Sequence, residues 1–244
     1  MKNHHVISGI SLLLLAVAVS NNCLAAEKDV NDGSWKGNVE LGIVNTTGNT
    51  KTKTTNLKAK VETEREKWRH VINLDALKSS DQGVSTAERY MLSGQSSFKM
   101  GKKNFFFALV SYEDDRFSGY DYRVTESIGY GRRVIADPSL TLDLEIGPGL
   151  RQSKLETGDT SDETMVRGAA KLAWAISKTS KFTEDLSTDV GEDVTITKSV
   201  TGLSAQVNGS LATKLTYTIK NTSDVPVGVE KTDTETAVTL VYNF

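Results

Sequence analysis

The chain has 244 residues, with 29 Lys and Arg against 31 Asp and Glu and a formal net charge of -2. That balance lacks the basic excess of a nucleic-acid binder, and no nucleic-acid partner is expected. The one cysteine, Cys23, excludes an internal disulfide framework, a Cys-cluster zinc site and CxxCH haem attachment.

Residues 1–25 carry the three-part pattern of a secretory signal peptide: Lys2, an apolar run from Val6 to Val19, and the small-residue segment ending in Ala25 and Ala26. Cleavage is expected after Ala25 or Ala26. The apolar run is shorter than the roughly 20 residues of a membrane helix, which disfavours an uncleaved anchor. Cys23 follows Ser20-Asn21-Asn22 and lacks the apolar and small residues of a lipoprotein site. The mature chain would then hold no cysteine and one histidine, His70, which removes most nucleophile–base and metal-ligand arrangements. No cofactor or metal site is expected.

Residues 26–33 read as a short polar lead-in, and 34–244 as one domain of strands. Trp35, Gly37, Val39, Leu41 and Ile43 alternate with Lys36, Asn38, Glu40 and Gly42, the period of a strand with one apolar and one polar face. In chain order the segments lie near 35–45, 54–64, 67–78, 86–100, 104–113, 122–134, 139–154, 163–176, 181–190, 195–209, 214–222 and 232–244, twelve in all. The fifth is ambiguous, because Phe105-Phe106-Phe107 is aromatic on both faces. The ninth is weak, because Glu184 falls on the outward face. Short connections lie at Arg65-Glu66, 101–103, Asp137-Pro138, 178–180 and Ala212-Thr213. Longer polar ones lie near 46–53, 79–85, 114–121, 155–162, 191–194 and 223–231.

Short turns on one side and long loops on the other describe a closed antiparallel transmembrane β-barrel of about 12 strands. A soluble sandwich also alternates. However, these strands reach the roughly 9–11 residues that a tilted membrane strand needs, and their polar faces carry many formal charges. Trp35, Trp68, Phe105, Tyr122, Trp174, Tyr242 and Phe244 lie near strand ends, as aromatic girdles do. Parity turns Lys36, Glu40, Lys58, Lys60, Glu62, Arg69, Asp75, Arg89, Arg123, Arg133, Asp143, Glu145, Arg151, Arg167, Lys171 and Asp185 inward, together with Lys99, Asp189, Lys220 and Glu235. Base modestly exceeds acid. Two readings stand: a water-filled pore with slight anion preference, or charges that pair off and plug the lumen.

The chain ends Val238-x-Leu240-x-Tyr242-x-Phe244. Apolar residues at every second position before a terminal aromatic resemble the signal read by barrel-assembly machinery. The expected partners are therefore that machinery and periplasmic chaperones during biogenesis, then outer-membrane lipid and lipopolysaccharide around a monomer.

Val39-Glu40-Leu41-Gly42 followed by Thr47-Gly48-Asn49-Thr50, the segment Tyr112 to Tyr120 with Gly129-Tyr130-Gly131, and the tail from Thr232 to Phe244 together resemble the YdiY-like family of salt-induced outer-membrane proteins (domain of unknown function 481). The resemblance implies an outer-membrane barrel of a Gram-negative bacterium associated with salt or osmotic stress. It brings no substrate and no catalytic residues.

A lipid hydrolase of the outer-membrane phospholipase type would need a Ser–His pair facing lipid. His70 faces lipid by parity, with Ser96 or Ser111 on neighbouring strands. An interfacial polar residue beside Trp68 is the favoured reading, because no orienting partner or oxyanion donor is evident, and no enzyme is expected. The acids Glu113-Asp114-Asp115 read as a solvated loop cluster.

Overall fold

The computed structural model describes residues 33–45 and 52–244. The signal peptide, most of the lead-in and the Gly48-Asn49 turn lie outside the described residues.

Twelve strands form: β1 (Trp35–Asn45), β2 (Thr52–Glu64), β3 (Trp68–Asp81), β4 (Val84–Met100), β5 (Asn104–Asp115), β6 (Tyr120–Ala136), β7 (Leu140–Leu155), β8 (Thr160–Ala175), β9 (Ser180–Gly191), β10 (Thr195–Gln206), β11 (Leu211–Thr222) and β12 (Thr232–Asn243). All pairs are antiparallel, each strand pairs with its chain neighbours, and β12 closes on β1. Closure leaves no edge, the condition for strands to lie in hydrocarbon without unsatisfied backbone groups.

Several strands run two or three residues further toward the loops than the apolar alternation does. Polar residues such as Asp81 and Asp115 still pair their backbone there, and Asp121 lies at the register shift between Tyr120 and Tyr122. The expected long connection at 79–85 is instead a two-residue turn. Gln82 and Gly83 both take positive φ, 49° and 86°, and Asp81 faces Val84, the tight geometry that matches strand twist. The last short turn falls at 207–210 rather than at Ala212-Thr213. Asn208 Oδ1 accepts from the Ser210 and Leu211 N–H groups there and fixes the reversal.

Strand stagger shows in one hydrogen-bonded row. It starts at Trp68 beside a short turn and passes Phe98, Phe106, Tyr130, Ile146, Gly168, Thr188, Thr197 and Asn221. It ends at Thr232, beside the 223–231 loop. Each row therefore climbs from the short-turn rim toward the long-loop rim as it circles the barrel, as tilt and stagger together require.

The usual inside and outside are exchanged. Glu40, Asp75, Arg123, Asp143, Glu145, Arg151 and Lys220 are buried, whereas Ile43, Ile128, Ile146, Leu203 and Val238 are exposed. The ambiguous aromatic run is settled by glycine. Phe105 and Phe107 turn inward over Gly131 and Gly129, where a Cβ would lie 2.2 and 2.7 Å from their rings. Phe106 alone faces out, edge-on to Tyr130. Phe105 is therefore not a girdle residue; Phe106, Phe98, Trp68 and Trp174 are.

Candidate functional site: the lumen and its charge network

Strand parity delivers charge to the interior from every part of the wall, and the register decides which charges meet. Lys58 Nζ lies 3.3 Å from Asp75 and 3.4 Å from Glu235. Arg89 lies 2.7 Å from Glu235 and 3.6 Å from Asp75, and Asn56 donates to Glu235 at 2.7 Å. Glu235 on β12 reaches β2 and β4 over β1, whose inward residue at that level is Gly42, packed against Thr239 and the Val238 carbonyl.

One contact spans the lumen. Lys220 on β11 bonds Glu113 on β5, and these strands stand six places apart in a ring of twelve. The neighbouring strands make a second diametric contact, Lys198 Nζ on β10 to Met91 Sδ on β4 at 3.8 Å. At another level, Lys171 reaches both Glu145 oxygens at 2.9 Å and the Gln95 amide oxygen at 2.8 Å. Gln95 in turn donates to Glu145 at 2.9 Å, joining β4, β7 and β8.

The other inward charges pair along the wall. Glu40 accepts from Lys214 at 2.8 Å, and Arg133 grips Asp143 through two bonds of 2.7 and 2.8 Å. Arg151 donates to Glu163 at 2.7 Å and also to the Val194 carbonyl. Arg167 meets Asp189 at 2.8 Å, Lys99 meets Glu64 at 2.9 Å, and Glu62 sits between Lys60 and Arg69. Arg123 lies over the Tyr120 ring at 4.1 Å. Among the described residues, the inward cations Lys36, Arg123, Lys181 and Lys198 make no ion pair, while Asp115, Asp185 and Asp233 are inward acids without one, and the paired set holds more cations than acids. The lumen thus keeps a positive surplus.

Two residues of the cross-lumen contacts were not legible as such. Glu113 is not part of a solvated loop: it ends an inward row of β5, and its partner lies across the barrel. Lys198 sits in Thr195-Ile196-Thr197-Lys198-Ser199, where alternation of size and polarity is too weak to announce a face.

On the outward surface the structure brings His70 and Ser96 together, with Ser96 Oγ 3.0 Å from His70 Nδ1 and Trp68 stacked on the imidazole at 5.8 Å. Ser111 faces the lumen instead, paired with Ser93 and Thr125. A hydrolytic triad holds serine on Nε2 and the orienting acid on Nδ1; here the serine occupies Nδ1. Among the described residues no other group bonds the ring, and no group of three or more His, Cys, Asp or Glu is placed to hold a metal ion.

A closed twelve-strand barrel, apolar and aromatic outside and charged within, defines a transmembrane β-barrel of the outer-membrane class. Solved structures share the fold. One is the NanC porin, with a TM-score of 0.52 at 11% identity over 86% of this chain and 98% of that one. Another is the COG4313 outer membrane channel from Pseudomonas putida F1, with a TM-score of 0.53 at 8% identity over 87% and 96%. The chain belongs to the family described as "Protein of unknown function, DUF481", whose pattern matches residues 39–244. It is 28% identical over 212 residues to "Uncharacterized protein YdiY" of Escherichia coli (strain K12), covering 86% of this chain and 83% of that protein.

Proposed function

We propose that the chain is an outer-membrane channel of narrow bore, admitting water, small ions and small anionic solutes, and closed to larger ones by its cross-lumen contacts. The observation that carries this reading is the Glu113–Lys220 contact between opposite walls. A lumen bridged at its full width has no clear path for a sugar-sized solute, while the charges beside the bridge offer hydrated ions a route. The positive surplus of Lys36, Arg123, Lys181 and Lys198 favours anions. Expression under salt or osmotic stress belongs to the same proposal and rests on the family resemblance alone.

Planar-bilayer recording tests it. The wild type gives small single-channel steps, with a reversal potential of anion-selective sign in a salt gradient. Lys220→Ala with Glu113→Ala gives steps several-fold larger. If both proteins are folded and heat-modifiable yet silent, the barrel is a structural element of the envelope with a plugged lumen, the reading favoured by the density of paired charge.

A further inference from the structure

The outward face of β9 and β10 breaks the apolar surface. Glu184 points out, two residues along β9 from Phe182 of the aromatic girdle and two from Leu186, with Leu172 of β8 beside it. Its two oxygens accept from Ser199 Oγ and Thr201 Oγ1, both at 2.6 Å. Nearer the long-loop rim on the same face, Thr188 and Thr197 hydroxyls lie 3.1 Å apart. A carboxylate on a lipid-facing surface is costly, and each carboxylate oxygen has a lone pair left to give. Acyl chains offer no donor.

We propose that two copies of this chain pair in the membrane through this face, in place of the monomer expected from sequence. The surface is self-complementary. A two-fold axis along the membrane normal, passing between Glu184 and Thr201, brings the two polar clusters face to face, so that each Thr201 proton, held by its own Glu184 within one copy, lies where it can be shared with the other copy's carboxyl, as an isologous interface requires. The flanks match as well. Rows climb from β8 to β11, so Tyr217, which shares the row of Leu172, Glu184 and Thr201, stands level with Gly168. The same axis lays the Tyr217 ring, 43% exposed, into the other copy's depression over Gly168 and Ala170. Its own chain does not demand glycine at 168: a Cβ there would meet only Thr188 Cγ2, at 3.7 Å, whereas one at Gly129 or Gly147 would strike a backbone carbonyl at 2.3 or 2.0 Å.

The experiment is cysteine cross-linking of the full chain in outer-membrane vesicles, on a Cys23→Ser background, with molecular iodine as an oxidant that enters the bilayer. Leu203→Cys, outward on β10 beside the axis, is expected to give a covalent species of twice the mass containing this chain alone. Leu92→Cys, outward on the opposite wall, gives none. Adding Gly168→Trp to Leu203→Cys lowers the yield at least ten-fold and leaves heat-modifiability intact. Four results overturn the proposal: no cross-link at Leu203→Cys, equal yields at both positions, an adduct with a different protein, or indifference to Gly168→Trp. The first leaves lipid as the occupant and the third a heterologous partner.

Discussion

The Phe244 ring fills the space that a side chain on Gly37 would occupy. A Cβ at Gly37 would lie 2.6 Å from Phe244 Cζ, and the two residues exchange backbone bonds of 2.9 Å in both directions. The last residue of the chain is thus the lid of the glycine in the first strand, the aromatic cover that stabilises glycine in sheets.

Deleting Phe244 removes one aromatic contact worth about 1–3 kcal/mol, together with the Gly37 backbone pairing. If the residue were an anchor only, the truncated protein would reach the outer membrane in near-normal amount. We expect loss to periplasmic degradation well beyond that small energy, because Val238, Leu240, Tyr242 and Phe244 act together as an assembly signal. Cell fractionation with a heat-modifiability assay decides; normal outer-membrane levels would reject the signal.

Arg151 is 1% exposed and its partner Glu163 is enclosed with it. Arg151→Met leaves that carboxylate without its cation and costs about 3–5 kcal/mol. The double variant Arg151→Met/Glu163→Gln recovers more than half, because an amide oxygen still accepts from the Asp193 and Val194 N–H groups that Glu163 now serves. Denaturant midpoints of the refolded barrel measure both. Equal loss in the single and double variants would show that packing, not charge, holds the site.

Gly129 and Gly168 are predicted to answer substitution differently. Alanine at 129 meets the Ile146 carbonyl at 2.3 Å and the Phe107 ring at 2.7 Å, an overpacking that costs about 1–3 kcal/mol. Alanine at 168 meets ordinary contact distance and leaves barrel stability within about 0.5 kcal/mol. The comparison uses the same unfolding measurement, and similar effects at both positions would contradict the packing described.

Asp137, in the turn between β6 and β7, accepts from the Ser139 hydroxyl at 2.7 Å and from the Ser139 N–H at 2.9 Å. The hydroxyl bond first, then the backbone bond, holds its carboxyl below the ordinary aspartate range. A lowered folded-state value means that the turn's contribution is present above the unfolded aspartate pKa and fades as pH falls through the folded one. Ser139→Ala raises the Asp137 titration midpoint toward the free value, read by NMR of the carboxyl carbon; an unchanged midpoint would assign the shift elsewhere.

Alternation with a period of two was enough to read the twelve strands, because a closed wall leaves each side chain only two directions. What a charge meets once inside was not readable. Lys220 and Glu113 are 107 residues apart, and their meeting depends on barrel circumference and stagger, which no local pattern encodes. The Gln82-Gly83 turn was hidden by polar neighbours that resemble loop, and Phe105 by an aromatic neighbour on each side.

Among the described residues, the ladder between β1 and β12 is the shortest in the wall. Among the described residues it pairs Asn38–Leu41 with Leu240–Asn243 and ends on the Gly37–Phe244 exchange, while β1 and β2 pair at eleven positions from Trp35 to Asn45. A cylinder with one brief joint tears there first. A force applied to the two chain ends unzips this ladder before any hairpin yields, and the same joint is the last to seal when the barrel forms, so the age of a newly made molecule is written in the state of five residue pairs.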